Sequence, residues 1–223
     1  MITRVQPPIN SSYTQSLNPN NFSHHCISYK ANMANASYWQ DKAGEPGSIR
    51  HGPIPSSIGQ DQILIKVHAW AMNPADHMLQ DIALPFVTYP LILGEDVAGT
   101  VERVGSAASS KFNIGDRVTG LALGSSLGNP EQGGFQQYVV LDYSMTCKIP
   151  DTLSFAKSSV FPLCMSTAAH GLFSKDHLSL PFPNVDTAPN SAGGSVFIWG
   201  GSSGVGCNAI QMCKAAGLEV ITT

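Results

Sequence analysis

No aspartate or glutamate precedes Asp41, and the segment before it holds only Arg4 and Lys30 as strong bases. Residues 1–36 are rich in Asn and Ser, and their few apolar side chains follow no period. Such a segment buries too little surface to offset its ordering entropy, so it reads as a disordered tail. Two alternatives stay open: an acid-free, Ser-rich transit peptide, or a true start at Met33. Charge is scarce along the whole chain: Asp, Glu, Lys and Arg make up 12% of it, against roughly 25% in an average domain. That points to large buried surfaces, or to surfaces that further chain would cover. A net charge of −3 leaves no basic excess for nucleic acid. The lack of any apolar run of about 18 residues excludes a spanning helix. The five cysteines, Cys26, Cys147, Cys164, Cys207 and Cys213, form no CxxC pair, and their odd number argues against a disulfide framework. Reduced thiols and a cytoplasmic location are expected.

What is present first is β-rich. Residues 62–70 begin as a solid apolar run and then alternate, a strand signature. Asn73-Pro74-Ala75-Asp76 reads as a helix start, with Asn73 as N-cap and Pro74 at the first helical position. Strands are expected at 97–105, after Gly115-Asp116-Arg117-Val118, and at 135–140. Several short strands punctuated by Gly and Pro suggest a small barrel. Near Pro150 the pattern turns helical, with Ser154 capping a helix over 155–163 and another over 166–173. Residues 179–194 carry breakers and read as an exposed loop.

The last stretch is the most specific. Ser195-Val196-Phe197-Ile198-Trp199 is a continuous apolar strand that fits a parallel sheet buried on both faces. Gly200-Gly201-Ser202-Ser203-Gly204-Val205-Gly206 follows and opens a helix. Val205, Ala209, Met212, Cys213 and Ala216 lie on one face of that helix, and Gly217 ends it. Residues 218–222 supply a second strand. Glycines let a pyrophosphate approach the backbone, and the N–H groups of a helix start favour the anion. Candidate cofactor-binding residues are therefore Ser202, Ser203, Gly204, Val205 and Gly206, with the two serine hydroxyls as added donors. A ligand-free strand–helix turn is the plain alternative. The residue that reads the ribose normally lies about 20 residues into such a unit, and Gly206 is 17 residues from Thr223 (223 − 206). The choice between NAD and NADP is then not encoded.

These residues resemble the medium-chain dehydrogenase/reductase superfamily. Leu93-Gly94-Glu95-Asp96-Val97-Ala98-Gly99-Thr100-Val101, Gly115-Asp116-Arg117-Val118 and Gly134-Phe135 are similar to its GroES-like domain. Trp199 to Gly206 is similar to the zinc-independent branch of quinone oxidoreductases and fungal stand-alone enoyl reductases. The resemblance implies an α/β chain: a tail over 1–36, a GroES-like partial barrel over 37–153, and over 154–223 the first βαβ unit of a Rossmann fold. It also implies C-terminal truncation. Zinc-dependent relatives carry Cys-His where this chain has Asn73-Pro74, and Gly-His-Glu where it has Gly94-Glu95-Asp96; the structural zinc lobe is missing, and Cys164 is one residue off the third ligand position. No metal is expected.

The implied chemistry is hydride transfer from NADPH, with NADH not excluded, to a small molecule bearing a conjugated carbonyl or to a quinone. By the same resemblance Asn73 and Thr167 are catalytic and cofactor-binding residues near the nicotinamide. Their plain alternatives are an N-cap and a hydroxyl bonded back to its own helix. Asp76 and His77 are solvated helix residues or substrate-facing ones, and Tyr89 and His77 are guesses for a proton donor. An oligomer is possible; nucleic acid and membrane partners are not expected. Two competing readings are a non-catalytic fragment or degenerate paralogue, and a binding module built on the barrel.

Overall fold

The computed structural model describes residues 34–184 and 194–223. The rest of the tail, Cys26, Met33 and positions 185–193 of the expected loop lie outside the described residues. The described strands and helices are β1 (Ala34–Gln40), β2 (Ser48–Pro53), β3 (Gln62–Ala71), α1 (Pro74–Asp81), β4 (Leu91–Ile92), β5 (Asp96–Val104), β6 (Arg117–Leu121), α2 (Gly124–Leu127), β7 (Tyr138–Asp142), β8 (Thr146–Lys148), α3 (Phe155–Ser158), α4 (Pro162–Phe173), β9 (Ser195–Ile198), α5 (Gly204–Ala215) and β10 (Glu219–Thr222).

Strand alternation builds the barrel part. In β3, Ile63, Ile65 and Val67 point to one face, where they pack with Val97, Val118 and Val139. Leu64 points to the other face and meets Tyr138 and Val140. The strands form an antiparallel sheet in the order β7-β3-β5-β6-β8. A second sheet, β2-β1-β4, joins it through β1. β1 opens at Ala34, inside the segment whose composition reads as tail. There the buried Asn35 amide donates to Gln136 Oε1 (2.8 Å) and accepts from the Tyr138 N–H (3.0 Å). β7 starts at Tyr138 and not at Phe135, where residues 135–137 also bond to β1, Tyr38 N to Phe135 O at 2.9 Å and Gln137 N to Ala36 O at 3.0 Å, while the Gln137 carbonyl still accepts from the Val67 N–H of β3 at 2.8 Å.

The helical segment differs from its sequence reading. The helix expected over 155–163 stops at Ser158, and α4 begins at Pro162. Proline lacks an N–H and its ring clashes with the preceding turn, so it cannot extend a helix but can start one. α4 and α5 then pack together over β9 and β10, burying Ala168, Leu172, Ala209 and Cys213 beside Val196 and Ile198. β9 and β10 are parallel. The expectation that β9 is buried on both faces fails. Helices cover one face, while Phe197 is 59% exposed and Trp199 82% exposed on the other. Val205 also leaves the predicted buried stripe of α5 and lies at the exposed helix start.

Candidate active site

Asn73 is the N-cap of α1 with extended backbone, and Pro74 takes the first helical position. The Asp76 carboxylate accepts from the Asn73 backbone N–H at 2.7 Å. The Asn73 side chain closes the capping box toward the Asp76 N–H and also reaches the barrel, where Nδ2 donates to Asp96 Oδ2 at 3.0 Å. Asp96 opens β5 and has no exposed surface. Its second oxygen accepts from the Leu163 N–H at 2.7 Å. Leu163 lies in the first turn of α4, where backbone donors lack helical partners and Phe161 at the N-cap offers no side-chain acceptor. A carboxylate from across the fold therefore caps this helix, with favourable sign relative to its dipole.

The Leu163 carbonyl in turn accepts from Thr167 Oγ1 at 2.8 Å. One run of hydrogen-bonding residues, Asn73–Asp96–Leu163–Thr167, thus joins the two side chains singled out by resemblance. Thr167 is exposed. Its proton is engaged by its own helix, while its oxygen keeps acceptor capacity.

Three acids gather here. Burial, then the neighbouring Asp76 charge, pushes the Glu95 carboxyl up to about 7, although the Ser125 hydroxyl donates to it at 3.2 Å. Burial raises Asp76 to about 6 against the bond from the Asn73 N–H, and the Asp96 charge adds to the rise. Burial also raises Asp96, opposed by the bonds from Asn73 and Leu163. Asp76 is buried, contrary to its reading as a solvated helix residue. His77 is exposed beside Asp81, Nε2 to Oδ2 3.3 Å, and the Tyr89 hydroxyl donates to the Leu79 carbonyl. Among the described residues no group of three or more His, Cys, Asp or Glu side chains is arranged to hold a metal.

The glycine turn meets the same helix from the other side. Gly200 has φ +77°, a conformation that favours glycine. Ser203 caps α5: its Oγ accepts from the Gly206 N–H at 3.0 Å and donates to the Gly200 carbonyl at 2.8 Å. Its hydroxyl is therefore engaged in the turn, whereas Ser202 is exposed. A Cβ on Gly206 would stand 2.3 Å from the Gly200 carbonyl oxygen, so the close helix–turn packing requires glycine there. A Cβ on Gly204 would stand 2.8 Å from Cys164 Sγ. The first turns of α4 and α5 thus touch. Burial and the Asp96 charge both push the Cys164 thiol up, consistent with its place at this junction. Among the described residues no group bonds the Gly204 or Val205 N–H.

Two cavities, of about 190 and 380 Å³, flank α4 and share Phe161 and Met165. Neither is lined by Asn73, Thr167 or the glycine turn.

Residues 59–151 match the alcohol dehydrogenase GroES-like domain family. A dehydrogenase of Aspergillus niger is 45% identical over 178 residues, 78% of this chain and 50% of its own. The chain belongs to the medium-chain dehydrogenase/reductase superfamily. A trans-enoyl reductase of Aspergillus japonicus is 41% identical over 194 residues, covering 86% of this chain and 55% of its own. Among solved structures, a mycobacterial protein complexed with NADPH superposes with a TM-score of 0.58 at 26% identity, over 84% of this chain and 52% of that one. The chain spans about half the length of the curated relatives it matches. The observed fold agrees with the expected one: a GroES-like partial barrel leading into a βαβ unit of Rossmann type.

Asp96 was missed as a site residue in the sequence. Its partners are distant in sequence, Asn73 and Leu163, and no local pattern marks them.

Proposed function

We propose that this chain forms the nicotinamide-facing part of a zinc-independent, NADPH-dependent reductase acting on an activated alkene of an enoyl substrate or on a quinone. One observation carries the reading. The glycine-turn helix α5 abuts the first turn of α4, and Asp96 holds that same turn together with Asn73. A phosphate-type helix start and the Asn73 loop therefore converge on one junction. The relatives named for trans-enoyl reduction and solved with NADPH support the choice of chemistry.

The donor set fits a dinucleotide. Among the described residues nothing bonds the Gly204 and Val205 N–H groups at this exposed helix start, and Ser202 adds a hydroxyl. The dinucleotide, when bound, supplies the hydride. Asn73 and Thr167 would hold its nicotinamide end, and NADH fits the same donors. Zinc independence rests on ligand chemistry. Asn73 presents an amide whose nitrogen already faces Asp96, and Glu95 accepts from Ser125 where a zinc-dependent relative has histidine.

Titrating the chain with NADPH and NADH by fluorescence tests the reading. Saturable NADPH binding is expected, with faster turnover of an enoyl thioester than of a quinone. Absence of binding by either cofactor would sink it.

A further inference from the structure

We propose that Thr223 is a positioning residue for the cofactor: from the end of β10 it pins the glycine turn, so that the N–H groups of Ser202, Gly204 and Val205 are the ones left for the pyrophosphate. This inference rests on the functional reading above.

Each N–H of the turn can be followed to its partner. The Gly200 N–H donates to Thr223 Oγ1 and the Gly201 N–H to the Thr223 carbonyl, both at 3.1 Å. The Ser203 N–H donates to the Gly200 carbonyl and the Gly206 N–H to Ser203 Oγ, both at 3.0 Å. Among the described residues nothing bonds the N–H of Ser202, Gly204 or Val205. Exposure divides the turn in nearly the same way. Gly201 and Gly206 are buried and Gly200 is half-buried, whereas Ser202, Gly204 and Val205 are exposed. Ser203 alone is both exposed and engaged. The donors that remain are therefore accessible ones.

The bond from Gly200 reaches across 23 residues. It and its neighbour act on peptide planes that glycine would otherwise leave free to rotate. The peptide joining Gly200 to Gly201 is gripped on both sides: its N–H by the Thr223 carbonyl, its C=O by the N–H and the hydroxyl of Ser203. Thr223 Oγ1 grips the preceding peptide, from Trp199 to Gly200. Between the two planes stands Gly200 at φ +77°, a conformation open to glycine because it has no Cβ. With both planes set, the Ser203 proton goes to the Gly200 carbonyl, and its oxygen takes the Gly206 N–H. That hydroxyl is then engaged, and the anion is left to backbone donors at the helix start and to Ser202.

Thr223→Val keeps the shape and the β propensity of the side chain and removes the acceptor of the Gly200 N–H. NADPH should bind about fivefold more weakly, the loss of roughly one net hydrogen bond, and Thr223→Ser should bind as wild type does. Thr222→Val is the matched control. The Thr222 hydroxyl donates to the Ile198 carbonyl and takes no N–H of the turn, so NADPH affinity should hold when it is lost. A side chain that merely supports the end of the strand predicts equal effects at both positions. Affinity of Thr223→Val within about twofold of wild type overturns the proposal, as does an equal loss in Thr222→Val or a failure of serine to rescue.

Amide exchange followed by NMR separates this outcome from failure of the functional reading. In wild type the Gly200 and Gly201 amides should exchange more slowly than those of Ser202, Gly204 and Val205, and Thr223→Val should speed Gly200. If wild type binds neither cofactor, the functional reading fails; faster Gly200 exchange in Thr223→Val then upholds the tie, and unchanged exchange overturns it. If Thr223→Val does not fold, the order of exchange in wild type decides, and equal rates overturn the proposal.

Discussion

The barrel and the β9–α5–β10 unit are both built from apolar strands, but they differ in cover. In the barrel, β3 sends Ile63 and Ile65 into one buried cluster and Leu64 into another, so the first half of the strand is packed on both faces, while Lys66, His68 and Trp70 further along the second face are exposed. In the βαβ unit, Val196 and Ile198 pack under α4 and α5 while Phe197, Trp199 and Ile221 face outward and are exposed. The first region draws its stability from its own core. The second draws it from one layer of helices, and the glycine turn that would hold a phosphate is part of that single layer. The difference teaches where substitutions should register. A methyl lost from the barrel core leaves a cavity, whereas a ring lost from the outer face of β9 leaves nothing behind.

The largest effect is expected in the barrel. Ile65 has no exposed surface. Ile65→Ala should lower unfolding free energy by about 2–5 kcal/mol, read as a lower urea midpoint with an unchanged slope. A loss below about 1 kcal/mol would show that the barrel is loosely packed and erase the contrast.

A smaller effect should follow pH, through the acid cluster that joins the two regions. Asp76 rises from 3.8 to about 6, and Glu95 from 4.5 to about 7. A folded pKa above the unfolded value means that the folded chain binds more protons in between, so its stability falls as pH rises. The contribution is whole below the unfolded values and is lost as pH climbs through about 6 and 7. The urea midpoint should therefore drop across that window, and Glu95→Gln, which cannot ionise, should flatten the upper part of the drop. A midpoint that rises through the window in wild type would refute the assignment of these acids to a buried, mutually repelling cluster.

This cluster also marks the limit of what the chain reveals as text. Periodicity located β3, and the order strand–glycine turn–helix–strand located α5 and β10, because those signals are local. The Ser154 cap marks where α3 begins, but the helix expected through 163 is divided by Pro162, whose ring cannot sit inside a helix. Asp96 was out of reach for a different reason. Its partners lie 23 and 67 residues away, and no local pattern encodes such pairs. The same holds for Asn35, whose bond to Gln136 spans 101 residues and draws a segment of tail-like composition into a sheet. The exposure of Phe197 was illegible too. A continuous apolar strand says that both faces suit burial, not which neighbour covers each.

The smallest effect belongs to that uncovered face, and it is the sharpest test of the contrast. Phe197 and Trp199 touch each other edge to face, with ring centroids 6.2 Å apart, and both rings are mostly exposed. Replacing them together by threonine keeps β propensity and removes apolar surface. Burial arithmetic then predicts a change in unfolding free energy within about 0.5 kcal/mol, because surface substitutions away from special contacts cost little. The same change should reduce self-association at high protein concentration, seen by sedimentation, since a cluster of exposed rings favours sticking. The two readouts separate the explanations. If stability holds and association falls, the face is open and the two regions differ as described. If the double variant instead loses as much stability as Ile65→Ala, the rings are buried in solution, and the βαβ unit is packed on both sides like the first half of β3.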